Sequence, residues 1–172
     1  MSHTDLVYYD FYGSPLGSIL LTAVDSALTG LHFSGEKYYP GIADGWRQAA
    51  GAKHIVRAMR QLDEYFAGRR QEFELALAPA GTPFQRRVWC ALQHIPYGTT
   101  ISYGVLARRV GQPTASRAVG AANGRNPISI VIPCHRVVGA DGGLTGYAGG
   151  LARKARLLRL ETEHPGEFRL TA

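Results

Sequence analysis

The sequence predicts an α+β protein: an N-terminal three-stranded antiparallel sheet with a helix, then a mainly helical half with a winged-helix-like helix-turn-helix. Three short runs of apolar and β-branched residues between residues 7 and 33, separated by tight turns, indicate the strands. From residue 52 onward the apolar residues recur with a helical period. A stretch with Pro and Gly divides the chain into predicted domains of residues 1–78 and 79–172.

Local signals place the elements of the N-terminal half. The strands are expected at residues 7–12, 18–24 and 28–33. Residues 34–51 contain Gly, Pro and polar groups and predict a loop, whereas residues 52–67 predict a helix that ends before Gly68. The predicted buried face of this helix comprises Ile55, Val56, Met59, Leu62 and Phe66. Residues 73–77 are a candidate for one more strand.

The second half opens with a helix-start signal. Thr82 is suited to cap a helix, and Pro83 is suited to the first helical position. The buried stripe is expected at Phe84, Val88, Leu92 and Ile95. A further helix is expected to begin near Gly150.

Two short helices are predicted between these, from Ser102 to Val110 and over residues 114–123, with Gly111 in the turn. This pattern indicates a helix-turn-helix. Small residues keep the second helix thin, which suits a close approach to a nucleic-acid duplex. They are Ala115, Ala118, Ala121 and Ala122. Packing of these alanines against a neighbouring helix is the alternative.

Charge differs between the two halves. Residues 1–81 hold 7 basic and 9 acidic residues, whereas residues 82–172 hold 12 basic and 4 acidic residues. No acidic residue lies between Glu74 and Asp141, and seven arginines fall there. A segment of one sign favours a polyanionic partner. A solvated basic face is the other interpretation.

Composition narrows the class of protein. The 172 residues are 45% hydrophobic and 19% charged, which is typical of a soluble globular protein. Neither a signal peptide nor a run of ~18 apolar residues that could span a membrane is recognised, so a cytoplasmic location without a membrane partner is expected. Cys90 and Cys134 are expected to be free thiols. We predict no metal site and no cofactor.

Cys134 is the strongest candidate for chemistry. The apolar run of residues 128–132 predicts a buried strand that delivers Pro133 and Cys134 to a turn. A helix starting there, together with His135 and Arg136, would favour the thiolate. His135 needs a partner that determines its tautomer, and either Glu161 or Glu163 could serve. A plain buried cysteine is the alternative.

Residues 82–162 resemble the C-terminal domain of the O6-alkylguanine-DNA alkyltransferases, also called methylated-DNA–protein-cysteine methyltransferases. The most specific match is the stretch Ile132-Pro133-Cys134-His135-Arg136-Val137. Other matching stretches keep the spacing of that family: Phe84-Gln85 to Trp89, Ile95 to Gly98, Ser102-Tyr103, Arg117 to Gly120, Asn126-Pro127 and Gly146 to Gly150. Residues 1–81 resemble the family only in their sheet-and-helix organisation.

The resemblance implies roles for four catalytic residues. Cys134 would accept the alkyl group, and His135 would act as the base through a water molecule. Glu161 would orient His135, and Asn126 would form the hinge between the recognition helix and the active-site strand. It also implies the activity of a methylated-DNA–protein-cysteine S-methyltransferase, which repairs DNA directly. Each molecule would react once, because nothing regenerates the thiol from the thioether.

The resemblance further implies how DNA is bound. Tyr103 would crowd the 3′ phosphate, Arg117 would enter the duplex where guanine was flipped out, and Tyr147 would line the base pocket with Val137 and Gly149. The second helix would enter the minor groove. The predicted DNA contacts are Ala115, Ala118, Gly120, Ala121, Ala122, Asn123, Arg125 and Arg136.

The partner implied is double-stranded DNA containing O6-alkylguanine, with O4-alkylthymine as an open second substrate. We expect a monomer in solution, with cooperative assembly on DNA left open. Some relatives bind zinc through an N-terminal cysteine, which this chain lacks, and Ser129 stands where some relatives have proline. Two rival functions are a cysteine hydrolase that uses Cys134, His135 and Glu161, and a damage-binding protein without chemistry. Cys134 weighs against the second, and a second acceptor role for Cys90 is disfavoured.

Overall fold

Four strands form the sheet of the N-terminal half in the computed structural model, which describes residues 5–165. The strands are β1 (Tyr8–Ser14), β2 (Gly17–Ala23), β3 (Leu28–Phe33) and β4 (Arg47–Gln48). The first three form the predicted antiparallel meander, since β1 pairs with β2 from Tyr8 opposite Ala23, and β2 pairs with β3 from Ile19 opposite Phe33. The spatial order is β3-β2-β1-β4. The α+β fold is therefore confirmed.

Two details of this half differ from the prediction. The predicted loop of residues 34–51 contains β4, a short strand that pairs in parallel with β1 and makes the sheet four-stranded. The predicted strand of residues 73–77 is wrong, because only Leu77 forms an isolated bridge, to Leu28. Both segments lie at sheet edges, where a few hydrogen bonds decide whether a strand is formed.

Helix α1 (Lys53–Phe66) covers the sheet, and Gly68 follows it with a positive φ of 71°, as its position after the helix predicts. Its buried face is shifted from the predicted one. Val56 is 48% exposed, whereas Ala58 and Tyr65 are buried. The shift follows from the second domain, because Tyr65 turns toward the C-terminal half rather than toward the sheet alone.

Helix α2 (Pro83–Leu92) begins as predicted. The Thr82 hydroxyl accepts a hydrogen bond from the Gln85 amide, and the Gln85 side chain accepts one from the Thr82 amide, so both ends of a capping box are present. Val88 and Leu92 are buried as expected. Trp89 is buried as well, and its indole donates to the Ala122 carbonyl at 2.9 Å.

The predicted helix-turn-helix is confirmed in α3 (Tyr103–Arg109) and α4 (Ser116–Gly124). Ser102 caps α3 by accepting from the Val105 amide at 3.2 Å. Two further strands, β5 (Ile101–Ser102) and β6 (Val137–Val138), pair in parallel beside α3. Helix α5 (Leu151–Glu163) closes the described chain and starts directly after Gly150.

The segment before Cys134 is not the predicted strand. Residues 128–132 form tight turns, in which the Ile132 amide donates to the Ile128 carbonyl at 3.0 Å. Ile130 has a φ of 71°, which is unusual for a β-branched residue. The segment is buried as expected, because its start lies along β3: the Leu31 amide donates to the Pro127 carbonyl, and the Ser129 amide donates to the Leu31 carbonyl. The apolar composition of the segment correctly predicts that it is buried, whereas its backbone conformation is determined by the hydrogen bonds with β3.

Candidate active site

Cys134 lies at the start of a single 3₁₀ turn, Cys134–Arg136, that connects the buried turns to β6. It is 4% exposed, and its amide donates to the Ile132 carbonyl at 2.8 Å. The thiol is thus held in a rigid and nearly closed position. The other cysteine, Cys90, is exposed on α2.

Glu161 on α5 is the centre of the polar network behind Cys134. Its carboxylate accepts hydrogen bonds from five donors, and it is 1% exposed. The donors are Tyr65 Oη at 2.8 Å, Gly98 N at 3.1 Å, His135 Nε2 at 2.7 Å, Arg136 Nε at 2.9 Å and Arg136 Nη2 at 3.0 Å. The prediction left Glu161 and Glu163 open, and the structure brings Glu161 to His135 and leaves Glu163 exposed beside Arg159.

The contact with Glu161 determines the tautomer of His135. Because a carboxylate can only accept, His135 Nε2 carries the proton and Nδ1 is left with a free lone pair. Nδ1 is buried and has no hydrogen-bond partner within residues 5–165. The imidazole is therefore oriented as a neutral base.

Burial and charge act differently on the three groups. Burial would raise the pKa of Glu161, but the hydrogen bonds and charges of His135 and Arg136 outweigh it and hold the pKa at about 2. Burial lowers the pKa of His135, with Arg136 and Lys154 acting in the same direction. Glu161 is thus ionised and His135 neutral near pH 7.

Burial outweighs the features that were expected to favour the thiolate, a helix start and the neighbouring His135 and Arg136. Burial raises the pKa of the Cys134 thiol to about 11, although the Asn126 amide and the Lys154 ammonium oppose the shift. The 3₁₀ turn has only three residues, and the charge of Arg136 is paired with the carboxylate of Glu161. The thiol is protonated at neutral pH, so a base has to remove its proton during a reaction.

Asn126 follows α4 and braces the turns that lead to Cys134. Its side-chain amide donates to the Ile132 carbonyl at 2.7 Å, and its side-chain oxygen accepts from the Ile128 amide at 3.0 Å. One side chain therefore ties both ends of the turn segment together. This location matches a hinge between α4 and the active-site segment.

The loop of residues 145–149 is held next to β6 by Tyr103 and Lys154. The Tyr103 hydroxyl donates to the Thr145 carbonyl at 2.9 Å, and the Lys154 ammonium donates to the carbonyls of Thr145 and Val137. Burial raises the pKa of Tyr147 well above its usual range. Gly149 is buried, and a Cβ there would meet the Tyr147 ring at 2.7 Å. The residues predicted to line a base pocket, Val137, Tyr147 and Gly149, thus lie on this loop and on β6, and Tyr103, predicted to meet the 3′ phosphate, contacts the same loop.

Helix α4 presents a face of small residues flanked by arginines. Arg117, Ala118 and Ala121 are exposed, whereas Ala115 and Gly120 are partly buried. Gly120 lies beside the Tyr103 ring, which a Cβ would meet at 3.6 Å. The exposed alanines leave this part of the helix open to a large partner.

Three predicted DNA contacts need correction. Arg136 is buried, pairs with Glu161 and donates to the Ile95 carbonyl at 2.7 Å. Asn123 is buried with its amide toward the Cys134 carbonyl, and Ala122 packs against Trp89. These residues belong to the interior, because α4 packs on α2 and the 3₁₀ turn that contains Arg136 packs on α5. Arg125 is exposed, and its guanidinium lies 4.4 Å from the Tyr38 ring.

Sequence reasoning missed Tyr65 and Lys154 at this site. Tyr65 is 96 positions from Glu161 in the chain, so no local pattern connects them. Lys154 is one of several basic residues of α5, and nothing in the sequence marks it as the buried one. Burial lowers the pKa of its ammonium to about 8. Within the described residues no group of three or more His, Cys, Asp and Glu side chains is placed to hold a metal ion.

A helix-turn-helix lies next to a buried cysteine that is followed by a histidine paired with a carboxylate. This is the arrangement of a DNA-binding protein with a reactive cysteine. Two family models match consecutive parts of the chain: the ribonuclease-like domain of 6-O-methylguanine DNA methyltransferase at residues 7–79 and its DNA binding domain at residues 83–163. The chain therefore belongs to the 6-O-methylguanine DNA methyltransferase family. The resemblance seen in the sequence is confirmed.

Individual relatives agree with this assignment over nearly their whole length. A methylated-DNA–protein-cysteine methyltransferase from Methanosarcina acetivorans is 49% identical over 90% of this chain and 98% of its own. One from Mycobacterium leprae is 53% identical over 86% and 88%. The crystal structure of Mycobacterium tuberculosis OGT in complex with DNA is similar with a TM-score of 0.84 and 47% identity, covering 91% of this chain and 94% of that one. Among the helices of residues 5–165, none has the length and apolar character needed to cross a bilayer.

Proposed function

We propose that this protein repairs DNA by direct damage reversal, moving the alkyl group of O6-alkylguanine irreversibly to the sulfur of Cys134. The observation that carries the proposal is the neutral His135, the residue after the buried Cys134, whose Nε2–H is held by Glu161 and whose Nδ1 is a buried base without a hydrogen-bond partner among residues 5–165. Membership of the methyltransferase family supports the same reaction.

The proposed step balances without a cofactor. His135 Nδ1 removes the Cys134 proton through a water molecule, and the imidazolium formed is stabilised by the ionised Glu161. The sulfur attacks the alkyl carbon, the carbon–oxygen bond breaks, and the guanine leaves with the electron pair and takes up one proton, which balances the proton that the thiol lost to His135. The product is a thioether, which has no leaving group for a second turnover, so each molecule reacts once.

DNA would reach the site across α4. The small residues Ala118 and Ala121 permit entry into the minor groove, and Arg117 occupies the space of the extruded base. Tyr103 and Arg125 flank this face, and the arginines of α2 and α3 contact phosphates without reading sequence. Cytoplasmic location, a monomeric state and activity on O4-alkylthymine stay predictions.

Intact-protein mass spectrometry tests the function directly. The protein is mixed with a duplex containing one O6-methylguanine, and we expect a single added methyl group on Cys134 with one equivalent of DNA repaired. A cysteine hydrolase would turn over and leave the protein mass unchanged. A damage-binding protein would retain the lesion. Either result contradicts the proposal.

We expect Arg117→Ala to slow repair of duplex DNA by tenfold or more while leaving the reaction with free O6-benzylguanine within twofold of wild type. Extruding a stacked base costs a few kcal/mol, and a side chain that fills the vacated space offsets part of that cost. Free base needs no extrusion. The measurement is the single-turnover rate at saturating duplex, compared with the rate on free base.

Arg108→Ala is the matched control, since Arg108 is also exposed but lies on α3. It should weaken DNA binding modestly and recover the full rate at saturation. Recovery of the Arg117→Ala rate at saturation, or an equal loss on both substrates, would remove Arg117 from the flipping step.

A further inference from the structure

Arg153, on the first turn of α5, connects the two halves of the molecule at the active-site loop. Its guanidinium donates to three backbone carbonyls: Leu16 from Nε at 3.0 Å, Gly149 from Nη1 at 3.0 Å and Ser34 from Nη2 at 3.5 Å. Leu16 and Ser34 lie at the ends of N-terminal strands, whereas Gly149 lies in the loop of residues 145–149. No part of the proposed alkyl transfer uses Arg153.

Contacts from other parts of the chain hold the loop of residues 145–149 at its Gly149 end. The Ala148 carbonyl accepts from the Lys37 amide at 3.1 Å, so a second contact comes from the N-terminal half. At its other end the Thr145 carbonyl is held by Tyr103 and Lys154 from the C-terminal half. The loop is therefore fixed between the two halves, and its position depends on both.

The packing around Gly149 leaves no space for a side chain at this position. A Cβ at this position would lie 2.7 Å from the Tyr147 ring and 3.2 Å from the Phe33 ring. The Arg153 guanidinium covers Phe33, with 4.7 Å between its central carbon and the ring centroid. A shift of the loop relative to β3 would therefore displace Tyr147 as well.

We infer that Arg153 is a positioning residue that fastens the loop of residues 145–149 to the edge of the N-terminal sheet and thereby sets the width of the pocket for the alkylated base. The inference rests on the proposed function. It gives the N-terminal half a part in the reaction, through Phe33, Ser34 and Leu16, although none of those residues donates to or accepts from His135 or Glu161. Only arginine has a planar fork of five donors that can reach several carbonyls at once.

The test uses free O6-benzylguanine, because this base needs the pocket but no flipping. We expect Arg153→Leu to lower the second-order rate constant by tenfold or more, since small misplacements of binding groups have effects of this size. Arg153→Lys should show an intermediate loss. Arg156→Leu removes the same charge from an exposed position of the same helix and should stay within twofold of wild type.

A second readout separates positioning from general damage. In a Cys90→Ala background, the rate of Cys134 alkylation by iodoacetamide should change less than twofold in Arg153→Leu, because the contacts of His135 and Glu161 do not involve Arg153. Equal losses with iodoacetamide and O6-benzylguanine would overturn the inference, as would a rate equal to that of Arg156→Leu. If Arg153→Leu does not fold, Arg153→Lys decides, and a wild-type rate there overturns it. Failure of wild type to gain a methyl group from the O6-methylguanine duplex would instead reject the proposed function.

Discussion

Cys134→Ala should abolish alkyl transfer from duplex DNA to the protein while leaving DNA affinity within about twofold of wild type. The thiol is the nucleophile of the proposed reaction, and alanine has no atom that can replace it. DNA affinity should persist because Cys134 is buried, whereas the arginines proposed to contact phosphates are exposed. The measurements are protein mass after incubation with an O6-methylguanine duplex and a binding titration with the same duplex.

Cys90→Ala provides the control, since Cys90 is exposed on α2 and should contribute nothing to transfer. It should gain one methyl group at the wild-type rate. Methylation of Cys134→Ala at a comparable rate would show that another side chain is the acceptor. The structure makes Cys90 the first side chain to examine in that case.

Glu161→Gln should cause the largest loss of stability, a decrease in the free energy of unfolding of about 3–5 kcal/mol, because it leaves the buried Arg136 charge without its partner. The pKa of Glu161 is lowered in the folded protein, so its ionised form stabilises the fold at neutral pH and that stabilisation is lost as the pH falls from about 4.5 toward about 2. The variant should lack this acid-dependent part. Urea unfolding between pH 7 and pH 3 measures both effects.

The same substitution should slow transfer by tenfold or more, because His135 loses the carboxylate that holds its proton on Nε2. Glu163→Gln is the matched control: it lies on the same helix, is exposed and pairs with Arg159 at the surface. It should change stability by less than about 1 kcal/mol. Equal effects of the two substitutions would contradict the assignment of Glu161 as the centre of the network.

Much of the fold is encoded in short stretches of the sequence. The meander of β1–β3, the Thr82 cap, the start of α3 at Ser102 and the glycine after α1 depend on neighbouring residues, and all were predicted correctly. Strands, caps and turns can be read in this way because their hydrogen bonds join residues a few positions apart. The uneven charge and the Pro-Cys-His-Arg stretch likewise directed attention to DNA and to Cys134.

Contacts between distant residues decided the rest. Whether Glu161 or Glu163 meets His135 depends on the rotation of α5 against the 3₁₀ turn, and the burial of Arg136 follows from the same packing. The protonation of the thiol could not be predicted from its neighbours in the sequence, because desolvation by the whole fold outweighs the nearby positive charges. The turns before Cys134 likewise depend on β3, a strand about 100 residues earlier in the chain. The sequence alone determined which groups take part, whereas the tertiary structure decided their partners and protonation, since burial and long-range hydrogen bonds exist only after the chain has folded.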